Sequence, residues 1–397
     1  MSSVILYHET EFGRAERHSQ SALRASAARE RLTSWLASPG APAGVVLTRP
    51  AAVAWATGGA APPVDRSADT DLVWAVFTPA GAGLITTEVE AGRIAEEYQP
   101  ARHGFSELAA VPWYRPEEFA RAAEELAGTP AGRLAADGHP AFAVDASDDL
   151  IEARLALSGP ERDELRALGN DAAAALEHAL SAWIPGQRDL DVQAQVSAWL
   201  EGRGADTPVL IVGGDDRVRR YRHPMAVGAP ARQLVMAVVV ARRGGLHAAA
   251  TRFACAGPLP PELHALRARV GRIERDVLAA SRPGSSYGQA LAALEQGYAR
   301  EGAAGGWAGH YQGGPIGFAQ REFEIAPCQR DSRWYATRIE ADHAVAWNPS
   351  LPGGAKAEDT YLVQADGVER VTTGPTWPVE DGDGVVPPRP AVLEVGR

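Results

Sequence analysis

At 397 residues the chain is long enough for two domains with a large core, and 45% of its residues are apolar. A formal charge of −11 at pH 7 argues against nucleic acid or an anionic membrane as the main partner. Two cysteines, Cys255 and Cys328, make no disulfide framework, so reduced thiols in a cytoplasm are the simple reading.

The polar N-terminus carries no apolar segment of signal-peptide length, and residues 1–30 read as a polar arm or exposed helix. From Gly44 onward, short apolar runs bounded by Pro, Gly and Asp predict strands at Val45–Leu47, Leu72–Phe77 and Ala82–Thr86. Helical stretches are predicted over Glu88–Tyr98 and Pro116–Ala127. This alternation over residues 31–155 predicts a small α/β domain. The longest apolar run of the chain, Leu234 to Ala241, is too short to span a bilayer.

Residues 156–397 predict a second domain. Leu165, Leu168, Leu176, Leu180 and Trp183 fall on one side of a helix from Glu161, which stops at Pro185-Gly186. A second helix runs from Asp189, read as an N-cap, to Leu200, and strands Val209–Val212 and Leu234–Ala241 follow. The same order then recurs: helix Glu262–Ala280, Pro283-Gly284, helix Tyr287–Tyr298, and Gly- and strand-rich sequence. Two such units predict an α+β fold with a pseudo-twofold duplication and a site in the cleft between its halves.

Four segments carry chemistry-bearing residues: Tyr221-Arg222-His223-Pro224; Leu246-His247-Ala248-Ala249-Ala250-Thr251-Arg252; His310-Tyr311-Gln312-Gly313-Gly314-Pro315-Ile316-Gly317 continuing to Arg321-Glu322; and Trp347-Asn348-Pro349 followed by Glu358-Asp359-Thr360. In this order and spacing they resemble the pita-bread family of metallopeptidases and creatinases, which includes aminopeptidase P, prolidase and creatinase. Ala54-Trp55-Ala56-Thr57-Gly58-Gly59 adds a resemblance in the N-terminal domain. The resemblance implies a pita-bread C-terminal domain behind a creatinase-type N-terminal domain, and a homodimer in which that N-terminal domain reaches a neighbour's site.

At the positions where that family places five metal ligands, this chain has Val238, Ala249, Gly314, Asn348 and Glu358. Val, Ala and Gly carry no side-chain donor atom, and one carboxylate with one amide does not hold two divalent cations. No metal or other cofactor is therefore expected. What the resemblance leaves in the cleft is His223, His310, Glu322 and Glu358 for proton transfer, with Arg222, Arg252, Arg321, Tyr311, Asn348 and Trp347 for substrate. A histidine titrates near neutral pH and an arginine grips a carboxylate through two parallel hydrogen bonds. The expected activity is metal-independent hydrolysis or elimination at a C–N bond of a small carboxylate-bearing substrate, as in a specialised biosynthetic step. A non-catalytic pita-bread module that binds a peptide or metabolite, and a divergent Xaa-Pro aminopeptidase-like metallopeptidase, are the alternatives. No Gly-x-Ser-x-Gly elbow, P-loop or dinucleotide fingerprint stands in a convincing context.

Overall fold

The computed structural model describes residues 11–59, 64–380, 384 and 386–396. It divides into two compact units: Met1–Arg154 with Ser158–Glu161, and Leu155–Leu157 with Arg162–Arg397. Of the polar arm expected over residues 1–30, the first ten lie outside the described residues. From Glu11 the chain forms one helix, α1 (Glu11–Leu36), and the arm is continuous with it. Ala25, Ala28, Leu32 and Leu36 recur every three or four residues along α1 and are buried. Gly58 lies against this helix with φ +67, and a Cβ there would stand 2.1 Å from the Ser21 carbonyl oxygen, so only glycine fits.

The strands of the first unit are β1 (Gly44–Leu47), β2 (Trp74–Thr78), β3 (Gly81–Thr87), β4 (Glu107–Val111), β5 (Leu134–Ala136) and β6 (Val144–Asp145). They form one mixed sheet in the order β4-β3-β2-β1-β5-β6. Helices α2 (Pro50–Ala56), α3 (Glu88–Arg93) and α4 (Glu118–Ala127) connect them, and α5 (Ser147–Leu155) follows. Val46, Trp74, Ile85 and Leu134 from the sheet close over Phe119 and Ala123 of α4. The helix expected from Glu88 to Tyr98 changes pitch: after Arg93 it widens into a π-helical turn, Ile94–Tyr98, which ends at Gln99 with φ 54.

In the second unit, helices α6 (Gly159–Ser181) and α7 (Asp189–Glu201) precede β7 (Asp206–Gly214), the short α8 (Asp215–Arg220), β8 (Leu234–Arg243) and β9 (Leu246–Ala256). Helices α9 (Pro261–Ala280) and α10 (Tyr287–Arg300) then precede β10 (Gly313–Pro315), the one-turn α11 (Arg333–Ala336), β11 (Ala344–Trp347), β12 (Ser350–Leu351), β13 (Ala355–Lys356), β14 (Asp359–Gln364), β15 (Gly367–Arg370) and β16 (Leu393–Val395). The two halves build separate four-stranded sheets, β16-β9-β8-β7 and β10-β11-β14-β15, with β12 and β13 as an extra hairpin. Each half is two helices followed by a sheet, which is the duplicated α+β order the sequence predicts. The apolar runs of β8 and β9 are buried almost end to end, as strands covered on both faces are.

The sheets join where β9 meets β14. The Thr251 amide donates to the Glu358 carbonyl at 2.9 Å, and the Ala249 amide donates to Thr360 Oγ1 at 2.8 Å. This seam carries two of the positions of interest, Ala249 and Glu358. Asp189, expected as an N-cap, is instead the first residue of α7, and Arg188 takes the cap position. The Asp189 carboxylate is fully buried and accepts from the Gly228 amide at 2.7 Å and from Arg217 at 2.9 Å. Arg217 in turn donates to the Met225 carbonyl, so this acid fixes the loop that follows His223.

Candidate functional site

Val238 on β8 and Ala249 on β9 are buried and offer only carbon. Gly314 on β10 has φ +145, and the nearest atom to a Cβ there would be the Tyr311 hydroxyl at 3.6 Å. Asn348 and Glu358 do meet: Asn348 Nδ2 donates to Glu358 Oε1 at 3.3 Å. The other carboxylate oxygen, Glu358 Oε2, accepts from Thr251 Oγ1 at 2.9 Å and pairs with the Lys356 ammonium at 2.9 Å. Burial alone would raise the Glu358 carboxyl. The Lys356 ammonium first, then the Thr251 hydroxyl and the Asn348 amide, outweigh it and hold the group below its ordinary value.

The family fold implies a metal pair, and this donor set does not fit one. Both Glu358 oxygens are committed to protein donors, which leaves Asn348 Oδ1 as the buried oxygen here without a partner. Among the described residues no group of three or more His, Cys, Asp or Glu is placed to hold a metal ion. A cation nevertheless stands beside Glu358. Lys356 is the only lysine among 39 lysines and arginines, and it is buried on β13.

A second cluster converges on Ser350, the first residue of β12. His310 Nε2 lies 2.7 Å from Ser350 Oγ, and His310 Nδ1 lies 2.6 Å from the Tyr311 carbonyl oxygen. The carbonyl can only accept, so Nδ1 carries the proton and Nε2 is the acceptor. Gln312 Nε2 donates to the Trp307 carbonyl at 2.8 Å and the His310 carbonyl at 3.0 Å, and lies 3.3 Å from His310 Nε2. Arg222 donates to Ser350 Oγ through Nη1. Tyr298 ties the backbone: its hydroxyl donates to the Ser350 carbonyl at 3.0 Å and accepts from the Ser350 amide at 2.9 Å. Burial, with the Lys356 and Arg222 charges adding to it, pushes the His310 imidazole down to about 4, so it is neutral at physiological pH.

His223 is exposed, with its ring centroid 6.5 Å from that of His310. Partial burial and the Lys356 charge lower its pKa, while the Glu358 carboxylate opposes them. A pocket beside it is lined by Arg219, Arg220, Arg222, Ser350 and Lys356, with Tyr221 and Met236 as apolar wall. The basic run before His223 therefore divides its work: Arg217 braces the loop, and the other three arginines face the pocket.

The remaining expected residues are placed differently. Arg252, expected to hold substrate, lies on the face of β9 opposite Thr251. It is buried, pairs with Asp359 at 2.8 Å and donates to the Thr251 and Thr372 carbonyls, so its fork is used inside the sheet. Trp347, expected in the substrate wall, is fully buried, and its indole donates to Ser281 Oγ at 3.0 Å because β11 packs under α9. Arg321 is exposed, lies 4.0 Å over the Tyr311 ring and pairs with Glu324 at 2.9 Å, and its charge reaches His223. The Tyr311 hydroxyl donates to the Phe323 carbonyl. Glu322 is buried beside Gly317, accepts from the Ala319 amide at 3.1 Å, and bears on the Tyr287 hydroxyl. Among carboxylates it is Glu358 whose charge reaches His223.

Ser350, Lys356, Thr251, Gln312 and Tyr298 were not singled out by the sequence motifs as site residues. For Lys356 a signal existed: in a chain that otherwise uses arginine for every strong base, a single lysine is a choice. Ser350 directly follows the Trp347-Asn348-Pro349 segment, but its partners Arg222, Tyr298 and His310 come from three other segments, which that motif does not encode.

The family model for metallopeptidase family M24 matches residues 163–365. Solved structures similar to this chain include an Xaa-Pro dipeptidase from Bacillus anthracis, at 18% identity and TM-score 0.67, covering 89% of this chain and 98% of that one. The prolidase from Pyrococcus horikoshii OT3 is similar at 16% identity and TM-score 0.66, covering 87% and 98%. An X-Pro aminopeptidase from Thermotoga maritima MSB8 is similar at 13% identity and TM-score 0.69, covering 92% and 99%. No curated protein matches.

Proposed function

The chain belongs to metallopeptidase family M24, and from that premise we propose that it is a metal-independent enzyme of hydrolase type acting on a small, carboxylate-bearing substrate at a C–N bond. The observation that carries this reading is the Lys356–Glu358 contact at 2.9 Å: a tethered ammonium takes the carboxylate that a metal would need. A lysine ammonium is a compact point charge that can polarise or anchor an oxygen, which is part of what a divalent ion does. His223, exposed and held below its ordinary value, is the proton shuttle. Glu358 supplies the charge that bears on it, and Arg222 with the neighbouring arginines holds the substrate's anionic part. Chain context and the family's habits support a homodimer without a nucleic-acid or membrane partner, and no helix among the described residues is long and apolar enough to cross a membrane.

A second reading has its own support: solved structures similar over nearly their whole length are Xaa-Pro peptidases. It requires a metal site that Val238, Ala249 and Gly314 do not build. The test of the first reading is a thermal-shift screen of small carboxylates, guanidino compounds and dipeptides, run on the unmutated protein and on His223→Ala. A ligand whose shift is reduced in the variant supports a site at His223. Equal shifts in both proteins for every ligand found would remove His223 from it.

A further inference from the structure

We propose that Ser350 is a nucleophile activated by His310, so that the site works by acyl transfer through a covalent serine ester, a reaction class distinct from water attack at a metal centre. The proposal rests on the metal-independent reading above, gives the proton transfer to His310 in place of His223, and extends the reading to a substrate class: an amide or ester whose acyl or leaving part is anionic.

The geometry is that of a nucleophile and its base. Ser350 Oγ and His310 Nε2 are 2.7 Å apart, within the range for a hydroxyl donating to an imidazole. The third element, which fixes the base, is the Tyr311 carbonyl at 2.6 Å from Nδ1. It sets the tautomer in which Nε2 has a free lone pair. The general pattern is a hydroxyl, a base and an orienting acceptor, recognised by roles and not by order in the chain. Here the order is base, orienter, then nucleophile, and the orienter is a backbone carbonyl.

Two further observations separate this from an ordinary buried serine. Ser350 is one of the residues that line the pocket, although it is itself buried. Arg222 donates to the same oxygen, so the hydroxyl faces a base on one side and a cation on the other. A guanidinium at that oxygen favours the negative charge that develops as the proton leaves. Arg219, Arg220 and Lys356 border the same space and would hold a carboxylate beside the reacting carbonyl. Tyr298 and Gln312 are positioning residues: the Tyr298 hydroxyl accepts from the Ser350 amide and has one proton for the Ser350 carbonyl or Gln312 Oε1, and the Gln312 amide donates to the His310 carbonyl.

The step balances within the protein and water. Ser350 Oγ forms a bond to the acyl carbon while its proton passes to His310 Nε2. The C–N or C–O bond of the substrate then breaks, and the leaving group takes that proton. Water, deprotonated by the same nitrogen, cleaves the ester and restores the serine. No oxidant, reductant or co-reactant is required.

The test is covalent labelling of the folded protein with diisopropyl fluorophosphate, followed by intact mass and peptide mapping. One phosphoryl adduct per chain, located on Ser350, is expected, together with its loss in Ser350→Ala. His310→Gln, with its circular dichroism and Tm compared to the unmutated protein, is expected to slow labelling by about 100-fold or more, the scale of a lost general base. Because Ser350→Ala can fail by unfolding, Ser350→Cys, of similar size, is the second variant: it should lose the phosphoryl adduct and take up iodoacetamide at the same position. No adduct on Ser350 in the unmutated protein, or labelling of folded His310→Gln at an unchanged rate, would overturn the proposal. Labelling of Ser350 in protein that also holds stoichiometric metal would instead remove the metal-independent reading and leave the nucleophile standing.

Discussion

Replacing Lys356 with methionine is expected to cost about 3–5 kcal/mol of stability at neutral pH, the usual consequence of stranding one partner of a buried ion pair. Glu358 is 7% exposed, and without the ammonium it keeps only the Thr251 hydroxyl and the Asn348 amide. The pH dependence gives the loss a signature. In the unmutated protein the folded carboxyl titrates below its unfolded value of about 4.3, so its stability contribution is present above that pH and is lost as pH falls through the folded value. In the variant the cation is gone and burial dominates, which raises the folded pKa above the unfolded one. Protonation then favours the folded state, so the stability gap between the variant and the unmutated protein narrows as pH falls from 8 toward 5. Urea denaturation at both pH values checks this. The double variant Lys356→Met/Glu358→Gln should recover most of the loss at pH 8, because no charge is left buried. Equal destabilisation of the single variant at pH 5 and pH 8 would mean that Glu358 is not the group Lys356 serves.

Arg252→Met is expected to be of similar size, about 3–5 kcal/mol, and to act on folding alone. Arg252 and Asp359 are 2% and 2% exposed, and the guanidinium also donates to the carbonyls of Thr251, its neighbour on β9, and of Thr372, beyond β15. A fall in Tm of roughly 10 °C follows from that energy in a unit of this size. Arg321→Gln is the contrast. Its ion pair with Glu324 and its place over Tyr311 are at the surface, and their loss is expected to cost less than about 1 kcal/mol. A differential-scanning comparison in which Arg321→Gln falls as far as Arg252→Met would show that the two arginines have been assigned the wrong way round. Any ligand found by thermal shift should still bind the folded fraction of Arg252→Met.

The pattern of these residues explains what the chain reveals on its own. Periodicity and turn residues were enough for the α/β unit and for the duplicated helix pairs, because those signals are local. The helix after Glu88 went beyond the rule: nothing in Ile94–Tyr98 announces that the ladder will widen by one residue. That Val238, Ala249 and Gly314 offer no side-chain donor was legible directly, since these residues have none in any fold. The positive content of the site was less so. Asp189 has an N-cap's composition and position, but Gly228 and Arg217, distant in sequence, claim its carboxylate. Arg252 sits in a motif that points to substrate, yet Asp359, itself beside Glu358, is its partner. Trp347 is a pocket-wall residue by composition and a core anchor by its bond to Ser281. In each case the deciding partner comes from another segment, which residue spacing does not encode.

In the proposed function a lysine takes the place of the metal. The measurement that tests it most directly is elemental analysis of the folded protein, purified without chelators and dialysed against metal-free buffer, with a parallel sample first offered manganese, cobalt or zinc. Metal far below one equivalent per chain is expected in both samples, with no change in Tm on adding EDTA. Stoichiometric metal that survives dialysis, with a Tm that falls when EDTA removes it, would contradict the claim and return the chain to the metallopeptidase chemistry of its family.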